Sequence, residues 1–397
     1  MGMKFEALQA RYGDSLLLTF EGDATIRLLV DGGPAGVYRT SLSPRLLLER
    51  KTLPRQEPLV IDAVMVSHID EDHILGILDL FGELQDCEQR HAPWPYRPSW
   101  LLHNSLDSLA GEGEGGLVRA SGGVTVLASL EGEKISDGIA KREMDPVAVH
   151  VLQSYGQGSK LSTLSASLQI ERNPPDRSVL MLEEGNVRTL KLGNATLKIV
   201  GPMASEVEDL RKNWSEWKTK KNSPDARQAL AAYLDDSVPN LSSVVALVEH
   251  EGRKVLLTGD ARGDRILEGL EKAGLLANGG SLEIDVLKLP HHGSARNMGV
   301  DFFERIKADH YVASGDGTYG NPDRNTLLML EQARPTGNFD VHLTYSAQSC
   351  DDTHKQWRAA RGKPSFKQGR DSIADVVKRW GTEGRIAVHE GAVQISY

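Results

Sequence analysis

Two histidines enclose three carboxylates in the run Ser67-His68-Ile69-Asp70-Glu71-Asp72-His73. Imidazole nitrogen and carboxylate oxygen are common ligands of divalent ions, so a segment this rich in both is a candidate metal site. It follows the apolar stretch Ala63-Val64-Met65-Val66, which places it at a strand end. Residues two apart on a strand face the same side, so His68 and Asp70 can converge on one cation. The chain then enters HILGILDLFGEL, whose apolar residues recur at helical spacing. Asp72 and His73, in that helix's first turn, can reach a second position beside the first. A helix start favours acids for its own reasons, and it is the two histidines that give the run its metal-binding character.

Three other apolar runs end in potential ligands: RLLVDGG at Asp31, KVLLTGD at Asp260, and VLKLPHHGS at His291 and His292. Loops beyond strand ends form a supported rim on which sites are built. The two carboxylate oxygens of Asp260 can bridge two cations. His291 and His292 can ligate metal or contact a bound anion, and Gly293 permits close backbone approach. His103, closing the run WLLH, is a reserve ligand. His150, His250, His310, His342 and His389 lie in or beside apolar stretches and read as core or edge residues, whereas His91 and His354 have loop-like, exposed surroundings.

The elements that must position these groups are mostly strands. Candidates are Ser15–Phe20, Ile26–Val30, Leu59–Val66, Trp100–Leu102, Thr196–Val200, Ser243–Glu249, Lys254–Thr258, Ile284–Leu289, Tyr311–Ala313, Val341–Thr344 and Arg385–His389. Besides the helix after His73, helices are expected over Ala204–Trp217, Arg262–Ala273, Phe302–Lys307 and Arg324–Ala333. With 397 residues, 40% hydrophobic and 25% charged, the composition is that of a globular α/β chain and excludes disorder as a whole-chain description. Glycine supplies 39 residues, which favours tight turns over long helices. Cys87 and Cys350 are too few for a disulfide framework. No run approaches the ~20 apolar residues of a membrane span, so a cytoplasmic protein without membrane contact is expected.

The order of Tyr12-Gly13-Asp14-Ser15, Val30-Asp31-Gly32-Gly33, the His68 to His73 run, Asn240-Leu241-Ser242-Ser243, Leu257-Thr258-Gly259-Asp260, Pro290-His291-His292-Gly293-Ser294 and Tyr319-Gly320-Asn321-Pro322 resembles the metallo-β-lactamase fold superfamily. Within it, the chain is most similar to the branch containing the soluble hydrolase domain of the competence protein ComEC. The resemblance implies a four-layer αββα sandwich: one domain over residues 1–397, with insertions at about 94–160, 205–236 and 346–382. It implies one or two divalent ions held by His68, Asp70, Asp72, His73, Asp260 and His291, and a metal-activated water attacking a phosphodiester. Asp72 would position or deprotonate that water, and His292 or Ser294 would stabilise the phosphoryl oxygens. Asp70 stands where the superfamily usually has histidine, which moves preference from Zn²⁺ toward Mn²⁺. Asn321 stands where the branch commonly has histidine, and no middle histidine follows Val200-Gly201-Pro202.

On a chain of net charge −9, two basic stretches carry aromatics. Residues 211–221 hold Trp214 and Trp217, and residues 355–370 hold Trp357 and Phe366 beside Lys355, Arg358 and Arg361. Cations would contact phosphates and rings would stack on unpaired bases. Lys355, Arg358 and Arg361 are therefore expected to bind substrate, together with Ser294 and Asn321. The leading expectation is a metal-dependent nuclease or phosphodiesterase acting on DNA or RNA. The alternatives are a hydrolase of small esters or phosphodiesters, and a catalytically weakened subunit working with a protein partner in a multi-component system.

Overall fold

Apolar runs without alternation need cover on both faces, and that need organises the computed structural model, which describes residues 2–54, 57–111, 146–220 and 243–397. One sheet has the order β15-β1-β2-β3-β4-β5-β6, with β1 Met3–Ala7, β2 Leu16–Phe20, β3 Ile26–Val30, β4 Leu59–Val66, β5 Tyr96–His103, β6 Glu171–Arg172 and β15 Val393–Ser396. The other has the order β14-β13-β12-β11-β10-β9-β8-β7, with β7 Thr189–Leu192, β8 Ala195–Gly201, β9 Val245–His250, β10 Arg253–Leu257, β11 Leu282–Lys288, β12 Ile306–Ala313, β13 Asp340–Leu343 and β14 Ala387–Glu390. Both sheets mix parallel and antiparallel pairs.

Side chains alternate between two cores. In β3, Leu28 and Val30 point between the sheets and Leu29 points out toward helices; in β11, Val286 and Leu287 divide in the same way. The helix Glu71–Gln89 covers the first sheet with Ile74, Ile77, Leu80, Phe81 and Leu84. The helix Ile373–Glu383 covers the second with Ile373, Val376 and Trp380. The layers are helix, sheet, sheet, helix.

Most expected strands form within a residue or two of their predicted ends. The strands expected at Trp100–Leu102 and Tyr311–Ala313 begin earlier, as Tyr96–His103 and Ile306–Ala313; the helix expected at Phe302–Lys307 runs Val300–Arg305, and Ile306 begins β12 because Ile306 and Ala308 continue into the core. The stretches read as insertions contain structural elements. Tyr96–His103 is an interior strand of the first sheet, and Ile373–Glu383 belongs to the outer layer of the second. Residues 112–145 and 221–242, which include parts of the expected insertions at about 94–160 and 205–236 and Asn240 to Ser242, lie outside the described residues. Among the described residues no helix is long and apolar enough to cross a membrane.

The turn after β3 is pressed against the first turns of helix Glu71–Gln89. Gly32 N–H donates to the His73 carbonyl at 2.8 Å, and Gly76 N–H to the Gly33 carbonyl at 2.9 Å. A Cβ on Gly76 would lie 1.9 Å from the Gly32 carbonyl oxygen, so only glycine allows this approach. Gly82, in the same helix, has open space where its Cβ would be. Gly76→Ala is therefore expected to cost about 1–3 kcal/mol or more of stability, while Gly82→Ala gains up to about 1 kcal/mol. Urea unfolding of the two variants checks this, and equal midpoints would refute the close-contact argument.

Candidate metal centre

The run after β4 delivers its ligands as the spacing requires. His68 lies beyond the strand end, Asp70 caps the following helix, and Asp72 and His73 occupy its first turn. From the second sheet come Asp260, after β10, and the turn Pro290–Gly293, after β11. One ligand atom each from Asp72, His73, Asp260 and His292 lies within 4.8 Å of the others. His292 is the histidine that joins this group; the His291 side chain is 40% exposed, with Nε2 3.6 Å from Asp260 Oδ2. Both residues hold left-handed backbones, with φ of 47° and 55°. Non-glycine residues adopt this conformation at a cost of order 1–3 kcal/mol, met where a site over-determines the chain. That turn sends the first ring, His291, outward and the next, His292, inward.

The two inward imidazoles share an arrangement. His73 Nδ1 faces Asp31 Oδ2 at 2.9 Å, and the same carboxylate accepts from the Ser67 amide at 2.8 Å and the Ser67 hydroxyl at 2.5 Å. A carboxylate accepting from Ser67 also takes the Nδ1 proton, which leaves Nε2 facing Asp260 Oδ1, 3.1 Å away, as the atom a metal ion would claim. His292 Nδ1 faces Asp14 Oδ1 at 3.3 Å, leaving Nε2 3.2 Å from Asp72 Oδ2. Carboxylates behind imidazoles in this way fix the ring and raise its basicity as a ligand. Asp14 is fully buried and paired with Lys288 Nζ at 2.7 Å, and it also accepts from Ser314. Asp14 and Lys288 are partners that sequence reasoning did not assign. Asp14 belongs to the Tyr12-Gly13-Asp14-Ser15 motif, and Lys288 is the one charged residue in the run Val286-Leu287-Lys288-Leu289.

The donor set fits a divalent ion. His68 is buried with neither ring nitrogen hydrogen-bonded, and His73 Nε2 and Asp260 Oδ1 are buried without hydrogen bonds despite lying 3.1 Å apart. Buried polar atoms are rarely left so. An ion with bonds of ~2.0–2.1 Å in tetrahedral geometry would set its donors about 3.4 Å apart. The observed separations bracket this: 3.2 Å for His68 to Asp70, 3.2 Å for His292 to Asp72, and 3.8 Å for His292 to Asp260. The field also favours a cation. Burial alone would lower the His73 pKa, yet Asp260, Asp72 and Asp31 raise it well above its ordinary value. Burial likewise opposes the shift at His292, where Asp14 and Asp260 raise it to about 9.

Other predicted residues lie around this group. Ser294 ends the histidine turn and is buried. The Asn321 amide donates to the His291 carbonyl at 3.3 Å, so it braces the turn. His103 stands outside the group, its Nε2 3.3 Å from the Gly158 carbonyl, with burial pushing its pKa down to about 4. Beside the turn opens a cleft of about 400 Å³, lined by Arg296, Tyr319, Asp323, His354, Trp357, Arg358 and Lys363 among others. Asp323 links cleft and centre, since its N–H donates to the Gly293 carbonyl at 3.0 Å. Arg361 lies over the Trp357 ring at 5.1 Å, and Lys355 over Phe366 at 5.0 Å. His354, expected exposed, is half-buried against Trp357. In the first basic stretch, Arg211 donates to the Leu109 carbonyl at 2.9 Å; the side chains of Trp214 and Trp217 lie outside the described residues.

Residues 9–177 match the family model of the metallo-beta-lactamase superfamily. Microtubule-associated protein 1A of Homo sapiens is 27% identical over 123 residues, 29% of this chain and 4% of that protein. Its counterpart from Rattus norvegicus is 28% identical over the same shares, so the chain spans about 4% of the length of the curated relatives it matches. Among solved structures, a putative metal-dependent hydrolase from Parabacteroides distasonis is 10% identical with a TM-score of 0.34, covering 86% of this chain and 93% of that one. A long form RNase Z from yeast is 13% identical with a TM-score of 0.36, covering 100% of this chain and 47% of that one. These structural likenesses are remote, and the sheets and the matched residues carry the assignment without them. The chain contains a metallo-beta-lactamase superfamily domain, and its two mixed sheets flanked by helices are the αββα fold of that superfamily.

Proposed function

We propose that this metal-dependent hydrolase is a phosphodiesterase acting on unpaired nucleic acid. The observation that carries the reading is the cleft joined to the histidine turn. Aromatic faces form a ridge along it: Tyr12 packs edge-on to Tyr319 at 5.6 Å, and Tyr319 to Trp357 at 5.5 Å. Tyr319 is 55% exposed and held at φ 64°, a left-handed conformation that turns its ring toward the cleft's other aromatics. Arg296, Arg324, Arg358, Lys363 and Arg370 surround the ridge. Asp371 offsets some of this charge through Arg370, at 2.7 Å. Stacking faces beside cations suit bases and phosphates of a single strand. The ordered motifs similar to the ComEC-like branch support the same reaction class.

His68, Asp70, Asp72, His73, Asp260 and His292 would hold one or two divalent ions, Mn²⁺ or Zn²⁺, with His291 at the solvent side. Such ions supply Lewis acidity and a water of lowered pKa. The chain does the rest. Asp31 and Asp14 keep the His73 and His292 lone pairs aimed inward. Asp72, partly exposed at the mouth of the group, is placed to accept a proton from an attacking water. His291, on the open side, is placed to donate to a phosphoryl oxygen, and Arg296 and Lys363 hold the flanking phosphates.

Three outcomes follow. The Asp260→Ala protein is expected to lose bound metal, by elemental analysis, together with Mn²⁺-dependent cleavage of a single-stranded oligonucleotide. Asp31→Asn, at a carboxylate that accepts from Ser67 and faces His73 Nδ1, is expected to lower metal affinity or turnover about 10- to 100-fold. Trp357→Ala is expected to raise KM for the oligonucleotide about 5- to 150-fold, as loss of one stacked base does, without changing turnover of a small chromogenic phosphodiester. An unchanged oligonucleotide KM in Trp357→Ala, or cleavage of the small ester alone by the unaltered chain, would turn the assignment toward a small-molecule hydrolase.

A further inference from the structure

Away from this centre, the second sheet brings together four groups that the sequence keeps far apart. His310 on β12 pairs directly with Asp340 on β13, and His342 on β13 pairs with His389 on β14. Side chains two apart share a face, so all four project from one side of the sheet. That is the side on which Val312 packs between the sheets, near the edge formed by the largely exposed strand β14. His310 Nδ1 lies 3.0 Å from His342 Nε2 and 3.6 Å from Asp340 Oδ2, and His389 Nε2 lies 3.1 Å from Asp340 Oδ2. The His389 ring stacks on His342, with centroids 4.6 Å apart.

We infer that His310, Asp340 and His342, completed by His389, form a second divalent transition-metal site. Ligand atoms of the first three lie within 4.8 Å of one another. Their spacings straddle the roughly 3.4 Å between donors of a tetrahedral ion with ~2.0–2.1 Å bonds, as those of the first centre do. Two imidazoles with one carboxylate, and a third imidazole beside that carboxylate, favour a borderline ion such as Zn²⁺ over Mg²⁺ or Mn²⁺. His342 is buried while His389 is half exposed, which gives an ion a fixed anchor and an open approach. A cleft of about 680 Å³ lined by His310, Asp340 and Arg385 reaches the same edge. His310 is four residues before Ser314, roughly 13 Å along the strand, so the two sites are separate. An ion here would tie β14, a short and largely exposed edge strand, to β13 and β12.

The chain, stripped with EDTA, is titrated with Co²⁺ and then Zn²⁺ in unaltered, His310→Ala, His342→Ala and Asp260→Ala forms. The inference expects one equivalent fewer of bound Co²⁺ in His310→Ala and in His342→Ala, with loss of a tetrahedral ligand-field band and unchanged phosphodiester turnover. It expects Asp260→Ala to retain that band and to show a Zn²⁺-dependent rise in Tm, which His310→Ala added to it abolishes. His310 is the less buried of the pair, so its variant answers the question if His342→Ala does not fold. Equal Co²⁺ stoichiometry in the unaltered and His310→Ala chains would overturn the inference and leave the cluster as a hydrogen-bonded network.

Discussion

The carboxylate of Asp14 is the point on which the rest of the centre depends. It leaves the β1-β2 connection of the first sheet and is buried against the second. There it takes a salt bridge from Lys288 at 2.7 Å, a hydrogen bond from Ser314, and the Nδ1 edge of His292. An uncompensated charge in such a place would cost several kcal/mol. The two sheets must therefore meet in the one register that brings β11 and the chain after β12 onto Asp14. That register also sets His292 opposite Asp72 and Asp260 opposite His73. The glycine contact between the β3 turn and the following helix does the corresponding work within the first sheet, because it fixes His73 over Asp31.

Much of this was legible in the sequence because it is local. Unalternating runs such as Leu59–Val66 announce strands buried on both faces, and the density of His and Asp from His68 to His73 announces a ligand loop. What was not legible depends on contacts between distant segments. His291 and His292 are chemically identical and adjacent, and only two successive left-handed backbones decide which ring faces inward. Lys288 reads as a polar residue in a strand, and its worth becomes visible only when Asp14 is packed against it. His310, His342 and His389 were read as core or edge residues one at a time, since parallel register across three strands is what makes them neighbours. The helix Ile373–Glu383 shows few apolar positions in sequence, and three of them, Ile373, Val376 and Trp380, are buried and place it in the helical layer.

The division of labour between the two sheets bears on how the site could change without the fold changing. The first sheet contributes a contiguous ligand run on a strand end and a helix start, both rigid elements. The second contributes single residues on turns: Asp260, His292, and beyond them Asn321 and Asp323, which brace the turn through the carbonyls of His291 and Gly293. The cleft beside that turn is built from Arg296, from Tyr319 and Asp323, and from the helix carrying His354, Trp357 and Arg358. Substitutions along that helix would reshape the cleft while leaving Asp14, Lys288 and the inter-sheet core untouched. The strain held at His291, His292 and Tyr319 falls on the same side of the molecule. The first sheet thus supplies the contiguous ligand run, the second adds Asp260 and His292, and the segment after β13 shapes the cleft beside them.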